Sequence, residues 1–276
     1  MAAASGISTG GKAFFGSLCA STFGLGCWQV QRLYEKVEKI DDRQNQLQMS
    51  PTNDWENEEH PYRRRLVSGS FRHDKEVLIG PRGAPPGVSL PRQGLSAKQA
   101  GSGQSSGMAP GPQGYFVLTP MELQGKKTAW INRGWVPKTM VPDARRGPAT
   151  GGTWSRPKGT ISLTTVRSSP EKPKIITPQH DYSKRPLQLF WFDPLALQAI
   201  AESEEEISLL AQVVSEEEAD ESSAKSGALY PLRPPVASVA DFKTTPAIHA
   251  GYAATWFGLS GAGIYMTRKL ITRGRG

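Results

Sequence analysis

Cysteine and histidine are scarce in this 276-residue chain, and with them go the common metal and redox centres. There are two cysteines and four histidines. Cys19 and Cys27 stand eight residues apart in one apolar run. On a helix that is about 12 Å along the axis, too far for the two to bond. They form no C-x-x-C pair and read as small packing residues, so the rest of the chain has no disulfide. His60, His73, His180 and His249 show no helical pairing with a second His or a Cys. No G-x-x-x-x-G-K-[ST] loop occurs and no G-x-G-x-x-G opens a helix, which removes the familiar phosphate cradles. No local signature pairs a serine or cysteine nucleophile with a base, so an enzyme is unsupported, though not excluded, because a spatial triad leaves no local mark in a sequence. The net charge is +8, yet the Lys and Arg are scattered, with no basic stripe interleaved with aromatics. That reads as solvated surface charge rather than a nucleic-acid partner.

Long apolar runs are also few: there are two, one at each end. Ala13 to Val30 (AFFGSLCASTFGLGCWQV) and His249 to Met266 (HAGYAATWFGLSGAGIYM) contain no Asp, Glu, Lys or Arg. A bilayer core of about 30 Å takes roughly 17–25 apolar helical residues, so each run is just sufficient. The fold class expected is a membrane protein of α+β type: a two-helix transmembrane hairpin with an intervening, mainly antiparallel β domain. The boundaries read as a tail 1–12, span 13–30, an exterior β-rich domain 31–248, span 249–266 and a basic tail 267–276. That tail carries Arg268, Lys269, Arg273 and Arg275 without an acid, which keeps both termini inside and the domain outside. The first run lacks a small-residue cleavage site, so it reads as an uncleaved anchor. No long Arg-rich presequence is visible, so organelle targeting is either internal or missing from this sequence.

Between the spans, Gln31–Met49 is charged and helix-compatible, and Pro51 ends it. Short strands are expected at Tyr62–Phe71, Lys75–Pro81, Gly114–Leu123, Lys127–Val136, Gly159–Arg167 and Ile207–Val214. The Gly/Ser/Pro-rich stretch 83–111 reads as a disordered loop. Gln188–Phe192 is a strand or the lead-in to a helix capped by Asp193-Pro194. The acidic runs flanking Ile207–Val214 read as solvated loops, since they lack calcium-loop spacing. A small barrel or curved sheet with an appended helix accommodates these elements.

Three groups of residues invite a functional reading. His249, Tyr252 and Trp256 fall on one helical stripe at the mouth of the second run. An imidazole there suits haem iron and the aromatics suit a flat macrocycle; an ordinary interfacial aromatic belt accounts for them equally. Trp28, Gln29 and Arg32 close the first run, with Trp28 and Arg32 as interfacial anchors. Small residues align as Gly16/Ala20/Gly24 and as Ala254/Gly258/Ala262. If those ridges meet across the hairpin, the His249 stripe faces outward.

Gly26-Cys27-Trp28-Gln29-Val30-Gln31-Arg32 with Lys36 resembles the G-x-W-Q-x-x-R-x-x-x-K signature of the Surfeit locus protein 1 family. Further blocks resemble it in order: Tyr62-Arg63 with Gly69-Ser70-Phe71, Gly80-Pro81-Arg82, Gly114-Tyr115 through Pro120, Asn132-Arg133-Gly134-Trp135-Val136-Pro137, and His249 with Tyr252-Ala253-Ala254-Thr255-Trp256-Phe257. The resemblance implies an assembly factor for cytochrome c oxidase in the mitochondrial inner membrane, or the plasma membrane of a bacterium. Its implied partners are the oxidase large subunit, other assembly factors and the membrane. The implied cargo is haem a, held transiently, with His249 as the iron contact and Tyr252, Trp256 and Trp28 lining a groove. Gln29, Arg32, Arg133, Gly134 and Trp135 are the expected partner-facing residues, the last three serving equally well as core and turn residues. The rival expectation is a haem-independent scaffold that stabilises an oxidase assembly intermediate. The loop 83–111 and the acidic segments look like insertions relative to a compact member.

Overall fold

The computed structural model describes residues 8–55, 57–85, 87–88, 112–123, 127–142, 149, 152–168, 171–173, 175–202, 209–213, 230–242 and 244–273. Most of the expected loop 83–111, the acidic runs apart from the exposed Glu202, and Gln124-Gly125 lie outside the described residues. In chain order the elements are α1 (Thr9–Gln48), β1 (Arg65–Phe71), β2 (Val77–Gly83), β3 (Gln113–Leu123), β4 (Thr128–Pro137), β5 (Thr160–Arg167), β6 (Leu187–Leu189), α2 (Pro194–Ala201), β7 (Leu209–Gln212) and α3 (Pro246–Arg273). They divide into two units: Met1–Asp42 with Asp241–Gly276, and Arg43–Ala240.

The second unit is a sheet that closes on itself. Its order is β1-β5-β7-β4-β3-β2-β6, and β1 also pairs with β3. Strands β1, β5, β7, β4 and β3 therefore form a five-stranded barrel with no free edge between them. The length of β3 makes this possible. Its first part pairs with β2, from Gln113 opposite Gly83 to Leu118 opposite Val77. Its last three residues pair with β1, as Phe71 faces Met121. Strand β2, with β6 parallel to it, stands off the barrel as a flap.

Alternation decides which side chains fill each space. Ala129 and Ile131 of β4 point into the barrel with Val67, Met121, Leu163 and Leu210. Trp130 between them points the other way, into a cluster with Val77, Ile79, Leu189 and Leu197. Helix α2 covers that second face. It begins as its sequence dictates: the Asp193 carboxylate accepts from Leu195 N (3.0 Å) and Ala196 N (3.3 Å), with Pro194 at the first position. The last turns of α1 serve this unit too, Leu47 packing with Val166, Val213 and Ala240.

The first unit is the pair α1–α3, antiparallel; it corrects one sequence expectation and leaves a second unconfirmed. The ridges Gly16/Ala20/Gly24 and Ala254/Gly258/Ala262 do not mate. All six residues are exposed, and a Cβ at Gly16, Gly24 or Gly258 would touch nothing within 4 Å. The seam runs instead through His249, Ala253, Trp256, Ser260, Gly263 and Thr267 of α3. Those steps alternate four and three, which keeps one stripe facing a partner helix along its length. A stripe of four-residue steps drifts off it. Gly26 is buried in the seam because a Cβ there would lie 2.6 Å from the Phe257 ring, and Gly263 meets Cys19 likewise at 2.7 Å. Ser260 Oγ donates to the Cys19 carbonyl at 2.9 Å.

The second expectation concerns the spans 13–30 and 249–266, which are not confirmed as membrane spans. Both runs are helical, but among the described residues no helix is long and apolar enough to cross a membrane. Freedom from charge is not the same as hydropathy. Glycine, serine, threonine, Gln29 and His249 take many of the positions that leucine or isoleucine would need to occupy.

Candidate functional site

Helix α1 brings Trp28, Gln29 and Arg32 to one end of the helix pair, and α3 brings His249, Tyr252 and Trp256. The antiparallel arrangement sets Gln29 against His249. The ring Nδ1 donates to the Gln29 amide oxygen at 2.8 Å. With the amide in that orientation, the neutral ring carries its proton on Nδ1, which leaves a lone pair on Nε2. A histidine so held is a preoriented base or metal ligand. His249 therefore lies on the seam; the outward orientation required the small-residue ridges to meet, and they do not.

The aromatics beside it divide. Trp256 is half-buried, while Tyr252 and Trp28 are 53% and 46% exposed. Arg32 lies over Trp28, 5.5 Å from the ring centroid, and pairs with Glu35 at 2.7 Å. One to two turns further along α1, Lys36 Nζ sits 3.5 Å from the Phe242 ring centroid. Among the described residues there is no group of three or more His, Cys, Asp or Glu suited to a metal ion. A lone oriented imidazole is all the chemistry this end provides for iron.

A second cluster lies in the barrel unit. Glu76, just before β2, is 5% exposed. Its Oε1 accepts from Trp154 Nε1 (3.0 Å) and from Arg156 Nε (3.2 Å) and Nη2 (2.9 Å). Its Oε2 accepts from Thr119 Oγ1 (3.0 Å) and Arg133 Nη1 (2.8 Å). Arg133 also donates to the Ser155 carbonyl, and burial pushes its guanidinium down to about 10 despite the neighbouring carboxylate. Every lone pair of Glu76 is engaged, so this carboxylate has none left for a substrate. It ties β2, β3 and β4 to the segment 154–156.

The motif residues of β4 take the core reading. Arg133 is 2% exposed and Trp135 fully buried. The Trp135 indole donates to the Arg82 carbonyl at 3.1 Å, and its backbone exchanges two hydrogen bonds with Leu232. Gly134 has φ +129°, and a Cβ there would stand 2.3 Å from the Leu232 carbonyl. Only glycine fits that backbone. Buried side chains offer a partner nothing to touch, so the partner-facing expectation for these three gives way to a structural one.

Arg65 was not singled out in the sequence. It is 1% exposed, and its guanidinium donates to the carbonyls of Asn57, His60, Pro61 and Arg63. Burial holds it below the usual guanidinium range. Nothing in its run of three arginines marks the last, strand-opening one as the buried one. For Glu76 a signal existed: it is the one acid in the strand-like run Lys75–Pro81.

A model of the SURF1 family matches residues 17–261. Surfeit locus protein 1 of Xenopus tropicalis is 30% identical over 266 residues, covering 92% of this chain and 73% of its own length. Surfeit locus protein 1 of Arabidopsis thaliana is 26% identical over 297 residues, covering 91% and 75%. A SURF1-like protein of Drosophila melanogaster is 33% identical over 168 residues. That alignment covers 58% of this chain and about half of the Drosophila protein. The family match starts inside α1, passes through the whole barrel and ends inside α3, and on that extent the chain belongs to the SURF1 family.

Proposed function

We propose that this protein is a non-enzymatic assembly factor for cytochrome c oxidase, and that its helix pair holds haem a for the large subunit. The observation that carries this is the Gln29–His249 hydrogen bond, which leaves the Nε2 lone pair for an iron atom. The residues fit a haem in kind: one oriented imidazole, with Tyr252 and Trp28 exposed beside it to cover a flat ring. Haem a is cargo here, and its iron chemistry belongs to the oxidase that receives it. The chain's own residues orient the ligand, through Gln29, and shield it.

The location proposed is the mitochondrial inner membrane, with the barrel outside the matrix; a bacterial plasma membrane is the alternative. Large apolar side chains support it. Phe14, Leu18, Phe23, Leu259, Ile264 and Met266 all stand exposed on the helix pair, a surface suited to lipid. Each helix alone falls short in hydropathy, but within the pair Gln29 and His249 bond to each other and Ser260 donates to the Cys19 carbonyl.

The test is complementation. Cells lacking the endogenous factor are given wild type, His249→Ala or Gln29→Leu, and assembled oxidase is measured against the amount of factor in the membrane. The haem-holding account expects His249→Ala to lose most assembly at unchanged protein level, with Gln29→Leu intermediate. Equal rescue by all three refutes it and leaves the haem-independent scaffold.

A further inference from the structure

The far half of the helix pair, away from His249, carries a groove of about 600 Å³. Phe15, Gly16, Ala20 and Phe23 of α1 form one wall, and Ser260, Ile264 and Ile271 of α3 belong to the other. The small residues that fail to mate with α3 explain why it exists. A Cβ at Gly16 would find nothing within 4 Å, so the space beside it is open. Toward His249 the helices approach closely, as Gly263 at Cys19 and Gly26 at Phe257 show.

The groove is apolar along its length and polar at its end, where Thr267, Arg268 and Thr272 complete the lining. The charge there has one sign. Between residues 9 and 34, and from 246 to 276, the chain has no Asp or Glu, while Lys12, Arg268 and Lys269 lie near this end of the two helices. An apolar slot that opens at a cationic mouth with hydroxyls beside it matches one kind of molecule: an acyl chain bearing an anionic headgroup.

We infer that this groove binds one anionic phospholipid, with an acyl chain between Gly16/Ala20 and Ile264/Ile271 and the phosphate at Arg268 with Thr267 and Thr272. The inference rests on the proposed membrane location of the helix pair. The lipid would fill the space that the mismatched small residues leave, and so brace the pair at the end opposite His249.

The test uses the full chain in vesicles of phosphatidylcholine with a minor share of phosphatidylglycerol. Carbonate extraction first reports whether the chain is embedded. Native mass spectrometry after gentle detergent release then reports the lipid retained. The expectation is that phosphatidylglycerol is retained about tenfold over its share, from the cationic mouth. Arg268→Gln should remove that preference while a lipid is still held, and Gly16→Leu with Ala20→Leu, which fills the slot, should remove the lipid itself. The filled variant should remain folded, since Gly16 has open space beside it. An embedded wild type that retains the two lipids in proportion to the vesicle overturns the inference and leaves the membrane location standing. A second copy in the groove, seen as a dimer without lipid, overturns it as well. A chain that carbonate removes overturns both.

Discussion

Glu76 in the barrel unit accepts five hydrogen bonds from four side chains, whereas the one bond at His249 in the helix pair fixes one ring nitrogen and leaves the other a lone pair. Both groups are polar and at least partly buried, but the barrel consumes the capacity of its group and the helix pair keeps part in reserve. A saturated group can be removed only at a structural cost. A group with one bond can still take another partner, which is what the proposed haem contact at His249 requires. On this contrast the barrel cluster is structural, and the helix pair is where the proposed binding falls.

The predictions attack the contrast from its strongest side first. Glu76→Ala leaves Arg133 buried without its carboxylate, and breaking such a pair costs about 3–5 kcal/mol. Denaturant unfolding should show the loss, and Glu76→Ala within 1 kcal/mol of wild type would mean that the cluster is not a structural pin. Gly134→Ala meets the Leu232 carbonyl at a positive φ and should cost about 1–3 kcal/mol, read from the same transition. Gly26→Ala places a methyl against the Phe257 ring. It should loosen the helix pair by about 1–3 kcal/mol, while the barrel unfolds unchanged. A cysteine crosslink bridging the two helices would report it.

Gln29→Leu is the sharpest of the set because it leaves the ligand in place. Loss of an orienting partner lowers metal affinity by about 10–100-fold, with no effect on unfolding. The smallest effect belongs to Asp74, whose carboxyl the Arg72 hydrogen bond holds below its ordinary value of 3.8. A lowered folded pKa gives stability that is present above the unfolded value and lost as pH falls below it. Asp74→Asn should cost less than about 1 kcal/mol at neutral pH, because the pair is exposed. It should also flatten the acid limb of a stability–pH curve below about pH 4.

Local rules made the barrel strands legible. The strand-like runs Gly114–Leu123 and Lys127–Val136, and Asp193-Pro194 before an apolar helix, each predicted an element that formed. Closure was not legible. It depends on β3 being long enough to pair with β2 at one end and β1 at the other, a register that no single segment encodes. In the helix pair the small-residue ridges misled, since glycine and alanine four apart occur without a partner. The seam was written in alternating steps of four and three through His249, Ala253, Trp256, Ser260 and Gly263. Reading those steps would have turned His249 inward and brought Gln29 to it. The three β4 motif residues spoke for the fold: Gly134 announces a backbone that only glycine tolerates, and Arg133 and Trp135 flank it because the core needs them there.

The most direct test is an absorption spectrum of the full chain, purified in detergent after co-expression with haem a synthesis, for wild type, His249→Ala and Gln29→Leu. The account predicts a Soret band in wild type, its loss in His249→Ala and a weakened band in Gln29→Leu. A band of equal strength in all three, or none in wild type while oxidase assembly is still rescued, would contradict it.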